Sequence, residues 1–252
     1  MFTPEYLERR RRLLEQTQQW DSHDEYSPQS PSGHARGIEV STRLTSLFRS
    51  QVRKDCMDIT PQQVIDVIVA AGINDWVLMG LHGYVGYLPE PRATQDVDVM
   101  VSKRLRRKAV TAIRSAWPTL EVVELPEVVR FLDPHDIGTD GHPKPVIDIM
   151  TPLAAFQRTI LKDFVTVDPQ TGHRLPQVEA ALVARYAPIV SVGHAREKKE
   201  FDAADFRSIV NANIDTIDRD RLHTLADEFF PGAGDEILSF LDLALNDDPF
   251  PL

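Results

Sequence analysis

The apolar and polar positions of the chain change period several times, and each change predicts an element. "TPQQVIDVIVAAGI" (residues 60–73) offers Thr60 as a helix N-cap, Pro61 at the first helical position and Gly72 near the end, which predicts a well-bounded helix. "WVLMG" (76–80) predicts a short buried strand that stops at Gly80, and "LHGYVGYL" (81–88) predicts about two helical turns. "DVDVMV" (96–101) alternates with period two and predicts a strand, followed by a helix over "KRLRRKAVTAIRSAW" (103–117). "LEVVEL" (120–125), "EVVRFLD" (127–133) and "PVIDIMT" (145–151) predict three more strands, with "DPHDIGTDGHPKP" (133–145) read as a polar loop before the last of them.

From Leu153 onward the pattern is mostly helical: "LAAFQRTILKDF", "QVEAALVARYAPIV", "REKKEFDAADFRSIVNAN", "DRDRLHTLADEFF" and "GDEILSFLDLAL". The first third is less regular. A short helix is expected over "PEYLERRRRLLEQTQQW" (4–20), a Ser-, Pro- and charge-rich linker over "DSHDEYSPQSPSGHARG" (21–37), and a second helix over "VSTRLTSLFRSQVRK" (40–54). The fold class expected is α/β (α+β), a small mixed sheet of about five strands flanked by helices and followed by a helical region. The expected divisions are an N-terminal helical arm and linker at 1–59, an α/β domain at 60–167 and a C-terminal helical domain at 168–252.

Composition narrows the setting. Hydrophobic residues make up 42% of the 252 residues and charged residues 26%, an ordinary globular mix. The single cysteine, Cys56, excludes an intrachain disulfide and a cysteine-based metal cluster, and fits a reducing, cytoplasmic compartment. No run approaches the ~18 apolar residues of a membrane span, so no membrane partner is expected. The net charge of −10 disfavours nucleic-acid binding by the surface as a whole and leaves room for a local basic groove.

The chemistry is concentrated at Asp96 and Asp98. Side chains alternate along a strand, so these two acids share one face while Val97 and Val99 take the other. "VIDIM" repeats the device with Asp148 between Ile147 and Ile149. If the two strands are neighbours, three carboxylates converge, repel one another and call for a cation. An all-oxygen anionic set suits Mg²⁺ or Mn²⁺, which also bind substrate phosphates. A lone Asp-x-Asp is also common on a solvated strand face. Here the pair is preceded by Gly80, which ends a strand and opens a short helix whose N-terminus can receive phosphate.

The block "MGLHGY … RATQDVDVMV" resembles the nucleotidyltransferase fold of the polymerase-β superfamily, in the cadence of the AbiEii/MenT-type group, the enzyme half of type IV toxin–antitoxin pairs. The resemblance spans about residues 60–210 and is specific over Gly80–Val101. It implies a nucleotidyltransferase-type mixed sheet with a C-terminal helical domain, and transfer of a nucleoside monophosphate from an NTP to a hydroxyl on RNA (a tRNA end among the candidates) or on protein. It also implies a cognate antitoxin. Asp96, Asp98 and Asp148 would be catalytic and hold Mg²⁺ or Mn²⁺; Gly80, Leu81, His82, Arg92, Thr94, Lys198 and Lys199 would bind the nucleotide, with Arg185 and Asp202 as loose equivalents of a basic residue and an acid in the family's helical half. The chain departs from the pattern at Leu81, where many members carry a second Gly or a Ser, so nucleotide contacts there fall to the backbone or to His82.

Other positions have simpler alternatives. Arg92 has either a phosphate or an acidic partner to fork onto, with Asp96 and Asp148 as candidates. Lys103, Arg104, Arg106, Arg107 and Lys108 form the densest basic cluster and are read as an RNA-binding rim, against a solvated helix face. Arg9–Arg12 wrap all round a helix and cannot line one face. His135 and His142, with Asp136 and Asp140, are read as loop residues rather than a metal site. Two rival functions remain: a small-molecule nucleotidyltransferase of the antibiotic-modifying kind, and a non-catalytic nucleotide-binding derivative.

Overall fold

The computed structural model of the chain describes residues 8, 33–52, 55–138 and 140–252. The helix expected over 4–20, apart from Glu8, the Arg9–Arg12 cluster and the linker at 21–32 lie outside the described residues.

A five-stranded mixed sheet forms the centre. Its strands are β1 (Trp76–Leu78), β2 (Val97–Val101), β3 (Glu121–Glu124), β4 (Val128–Ile137) and β5 (Pro143–Met150), in the order β1-β2-β5-β4-β3. Only the β2–β5 pair is parallel; β1–β2, β5–β4 and β4–β3 are antiparallel. The valines and isoleucines at 97, 99, 101, 147 and 149, with Val129 and Phe131, are buried on one face of the sheet. They join one apolar core with α2 (Pro61–Ala70) and α4 (Arg106–Ala116). As expected, Thr60 caps α2 and Pro61 follows; the structure adds a capping box, in which Thr60 Oγ1 accepts from Gln63 N and Gln63 Oε1 accepts from Thr60 N.

Two sequence expectations are corrected here. The helix α1 spans Gly33–Val52 and takes in residues 33–37, which were expected to belong to the linker. Tertiary contact explains it: α1 crosses the turn after α3 (Gly80–Tyr84), where a Cβ on Gly86 would lie 2.9 Å from His34 Cα. Second, the polar loop expected over 133–145 is mostly strand. β4 continues to Ile137 through an irregular register, steadied where Asp133 accepts from Met57 N at 2.6 Å and His135 N at 2.9 Å.

The later helices are α5 (Ala155–Asp163), α6 (Val178–Val190), α7 (Arg196–Asn213), α8 (Arg219–Asp227) and α9 (Ala233–Leu245). A hairpin that the sequence pattern did not predict, β6 (Val165–Val167) with β7 (Arg174–Pro176), separates α5 from α6. Its turn is built on Asp168, which accepts from Gln170 N, Thr171 N and Thr171 Oγ1. β7 lies against β1, where Arg174 Nε donates to Trp76 O at 2.7 Å. Among the described residues no helix is long and apolar enough to cross a membrane.

Candidate active site

The parallel register sets Asp98 directly beside Asp148, on the sheet face opposite the apolar core. Asp96 enters from the residue just before β2. Ligand oxygens of Asp96, Asp98 and Asp148 all lie within 4.8 Å of one another. Among the described residues this is the one group of three or more His, Cys, Asp or Glu side chains that converges this way; His135, His142, Asp136 and Asp140 do not.

The strand order explains why the acids meet. β2 and β5 are far apart in sequence but adjacent and parallel, so two Asp residues at equal height share a face. Like charges at such a spacing are costly. Burial, then the charges of Asp96 and Asp148, hold the Asp98 carboxyl well above the usual carboxylate range. Burial also raises Asp96, against the lowering effect of hydrogen bonds that include one from Thr94 Oγ1. Asp148 is pushed up to about 6 by burial and by Asp96, although Arg130 and Lys198 oppose the shift. Its Oδ1 is buried with no hydrogen-bond partner.

Gly80 stands against Asp98. Its φ is +56°, and a Cβ there would sit 1.9 Å from Asp98 Oδ2. Any side chain would both strain the backbone and displace the carboxylate. An orphaned carboxylate oxygen, a cradle that only glycine fits and an all-oxygen anionic donor set together suit a divalent cation.

The triad opens on a cleft of about 570 Å³ between the sheet and α5, α6 and α7. Of the residues expected to bind nucleotide, Gly80, Leu81, Arg92, Thr94 and Lys198 line this cleft, as do Arg185 and Asp202. Lys198 is exposed and its charge reaches Asp96, Asp148 and Asp202. His82 and Lys199 do not line the cleft. His82 is only 4% exposed, and burial, with His34, His173 and Arg49 adding to it, pushes its pKa down to about 3. It is a neutral, enclosed ring rather than a phosphate ligand. His82 lies on a short helix that packs on α1 and turns inward, which sequence spacing does not reveal.

Arg92 has an acidic partner, and it is neither Asp96 nor Asp148. Arg92 Nη2 donates to Asp205 Oδ2 at 2.7 Å and to Tyr84 Oη at 3.0 Å. Tyr84 donates to the same Asp205 oxygen at 2.5 Å, and its ring lies under the Arg185 guanidinium at 4.9 Å. Arg185 in turn donates to Asp202 at 2.8 Å. This network ties α3 and the segment before β2 to α6 and α7.

Three further contributors carried little or no sequence signal. Arg130, opposite Asp148 in the β4–β5 register, brings Nε to 3.4 Å from Asp148 Oδ2. The lone charge inside "VVRFL" was its only mark. Thr45 and Arg49 of α1 hold the segment leading to Asp96: Thr45 Oγ1 donates to Thr94 O, and Arg49 Nη2 donates to Gln95 O at 2.6 Å. Nothing in their local sequence distinguishes them.

The basic cluster lies past the other end of β2. None of Lys103, Arg104, Arg106, Arg107 and Lys108 lines the cleft. Arg106 donates to Leu125 O at 2.6 Å and to Pro126 O at 2.7 Å, fastening α4 to the β3–β4 turn, while the other four are exposed.

The sequence matches no protein-family model, and no curated protein matches it. Among solved structures, an antigenic nucleotidyltransferase-like protein from Paracoccidioides brasiliensis is similar over 71% of this chain and 89% of its own, at 15% identity and a TM-score of 0.41. Terminal uridylyl transferase 4 from Trypanosoma brucei, with bound GTP, is similar over 84% of this chain and 74% of its own, at 18% identity and a TM-score of 0.31. The same enzyme with bound CTP gives 18% identity and a TM-score of 0.30. Likeness of this degree leaves function to be argued from the site itself.

Proposed function

We propose that the chain is a metal-dependent nucleotidyltransferase that moves a nucleoside monophosphate from an NTP to an acceptor hydroxyl. One observation carries the reading: three carboxylates on adjacent strands converge within 4.8 Å beside the Gly80 turn, in a cleft that also holds Lys198. Asp96, Asp98 and Asp148 would hold Mg²⁺ or Mn²⁺, which when bound neutralises phosphate charge and polarises the phosphoryl group.

The chain's own groups do the rest. Lys198 and the backbone at Gly80 and Leu81 meet the triphosphate. Arg92, held by Asp205, positions the Thr94–Asp96 segment. Asp148, beside Asp98 in the parallel register and open to the cleft, orients the acceptor hydroxyl and takes its proton. The hydroxyl oxygen bonds to the α-phosphorus as the bond from that phosphorus to the pyrophosphate oxygen breaks. Binding energy used to align these groups contributes to the rate.

The motif cadence over Gly80–Val101 supports a toxin role in a type IV pair, acting in the cytoplasm and restrained by an antitoxin. An RNA acceptor would draw on the Lys103–Lys108 cluster. Pyrophosphate release is the test: wild type with Mg²⁺, candidate acceptors and each NTP in turn should release it, and Asp98→Asn should not. A wild type that binds NTP yet releases no pyrophosphate with any acceptor would leave the non-catalytic reading.

A further inference from the structure

The cleft has two unlike halves. Around the acids its lining is polar: the Gly80 turn, Thr94 and Lys198. One step further along the same sheet face come Met100 and Met150, and beyond them Val128, Phe156, Ile160 and Phe229. The apolar half does not end at the cleft mouth. Phe229, with Ser191 and His194, also lines an adjoining hollow of about 490 Å³ completed by Val190, Val192 and Phe230. Val192 is fully exposed, Phe230 is 36% exposed, and Phe201 on the α7 wall is 52% exposed. A continuous apolar track therefore leads from the carboxylates to the surface.

The charges around this track do not suit a polyanion. Of the five carboxylates lining the cleft, Asp96, Asp98 and Asp148 are the proposed metal ligands, so what decides the fit of a polyanion is how many lining cations are free. Arg92, Arg130 and Arg185 are each paired with a carboxylate, which leaves Lys198 as the one lining lysine or arginine outside an ion pair among the described residues. A nucleic-acid acceptor needs a row of free cations to displace its counterions, and single strands combine such a row with aromatic platforms. Here the aromatic residues are present and the row is missing. A contiguous exposed apolar patch continuous with a cleft is instead the mark of a protein-binding surface.

We propose that the acceptor is a polypeptide: apolar side chains of the acceptor segment seat against Val192, Phe229 and Phe230, and a neighbouring Ser, Thr or Tyr presents its hydroxyl to Asp148. The proposal rests on the nucleotidyl-transfer reading for its chemistry, but the docking surface is testable without turnover.

The probe is a set of short fluorescent peptides, each carrying one Tyr, Ser or Thr flanked by Leu and Phe, with matched peptides flanked by Asp. Binding is measured by anisotropy to the otherwise unaltered protein without NTP, so that no transfer can occur. Apolar-flanked peptides should bind, and adding Val192→Asp and Phe230→Asp should weaken them about tenfold or more, the scale of losing interface anchors. Both side chains are exposed, so circular dichroism should show an unchanged fold.

Transfer is then measured in wild type with α-labelled NTPs, the same peptides, total RNA and kanamycin. Label on RNA or kanamycin with none on peptide overturns the proposal. So does a Val192→Asp/Phe230→Asp protein that loses affinity for NTP rather than for peptide, which would give the track to the nucleobase. A wild type that dimerises through this face, and becomes monomeric on the same changes without losing peptide binding, also overturns it. Peptide binding through the track without any pyrophosphate release would keep the docking surface and sink the transferase reading instead.

Discussion

Tyr84 and Asp205 are 121 positions apart in sequence, yet the Tyr84 hydroxyl donates to Asp205 Oδ2 at 2.5 Å, and Arg92 donates to the same oxygen. One carboxylate thus holds the helix that begins at the Gly80 turn and the segment that delivers Asp96. Removing it leaves the Tyr84 phenol without its acceptor and the Arg92 guanidinium without its anionic partner. Asp205→Ala should cost about 3 kcal/mol in urea unfolding, the low end for a broken buried pair because the Arg92 side chain keeps 33% of its exposure. Tyr84→Phe removes two hydrogen bonds, the one to Asp205 and the one from Arg92, and should cost roughly 1–3 kcal/mol. Equal, negligible losses would mean that the network adds nothing to stability.

The repulsion among the acids predicts a pH dependence of the metal-free protein. Asp148 titrates at about 6 in the folded chain against an ordinary value of 3.8, so the folded state binds protons more tightly than the unfolded state. Stability should then fall as pH rises from about 4 to about 6. Mg²⁺ should restore it at neutral pH, and Asp148→Asn should flatten the fall. Thermal melts across this range, with and without Mg²⁺, check both; stability that rises through the window would contradict the arrangement.

Asp98→Asn removes the acid that burial and its two neighbours oppose most strongly. The metal-free variant should be at least as stable as wild type, while stabilisation by Mg²⁺ and pyrophosphate release should both disappear. A variant still stabilised by Mg²⁺ to the wild-type extent would remove Asp98 from the metal site. Asp148→Asn should lower the transfer rate at least ~10²-fold, the lower end for general acid–base catalysis, with NTP affinity less affected.

Gly80→Ala tests the cradle. The new Cβ meets the Asp98 carboxylate, and φ of +56° adds roughly 1–2 kcal/mol of backbone strain. Transfer should be lost along with stabilisation by Mg²⁺. A fully active Gly80→Ala enzyme would mean that the turn and Asp98 do not work in contact.

Arg106 and Arg107 separate an anchor from a solvated charge. Arg106→Ala should cost roughly 1–2 kcal/mol through the lost bonds to Leu125 O and Pro126 O, and Arg107→Ala should cost almost nothing. With a polypeptide acceptor, neither should change the salt dependence of labelling. A shallower log–log salt slope in the Arg107→Ala protein would restore the RNA-gripping reading of the cluster.

Local periodicity was enough to place part of the site. Alternation in "DVDVMV" and "VIDIM" put Asp96 and Asp98 on one face and the valines and isoleucines on the other, because a strand has only two faces. Thr60 and Pro61 marked the start of α2 because the cap uses groups within one turn. Strand adjacency has no such local code. The packed fold makes β2 and β5 neighbours, and so sets Asp148 beside Asp98 and Arg130 beside Asp148. It also pairs Arg92 with Asp205, brings Thr45 and Arg49 to the approach to Asp96, and encloses His82. These contacts join residues far apart in the chain, and no local pattern encodes their partners. The β6–β7 hairpin was hidden for a related reason: its strands are three residues each, too short to show a period, and they are held by Asp168 in the turn and by Trp76 from across the fold.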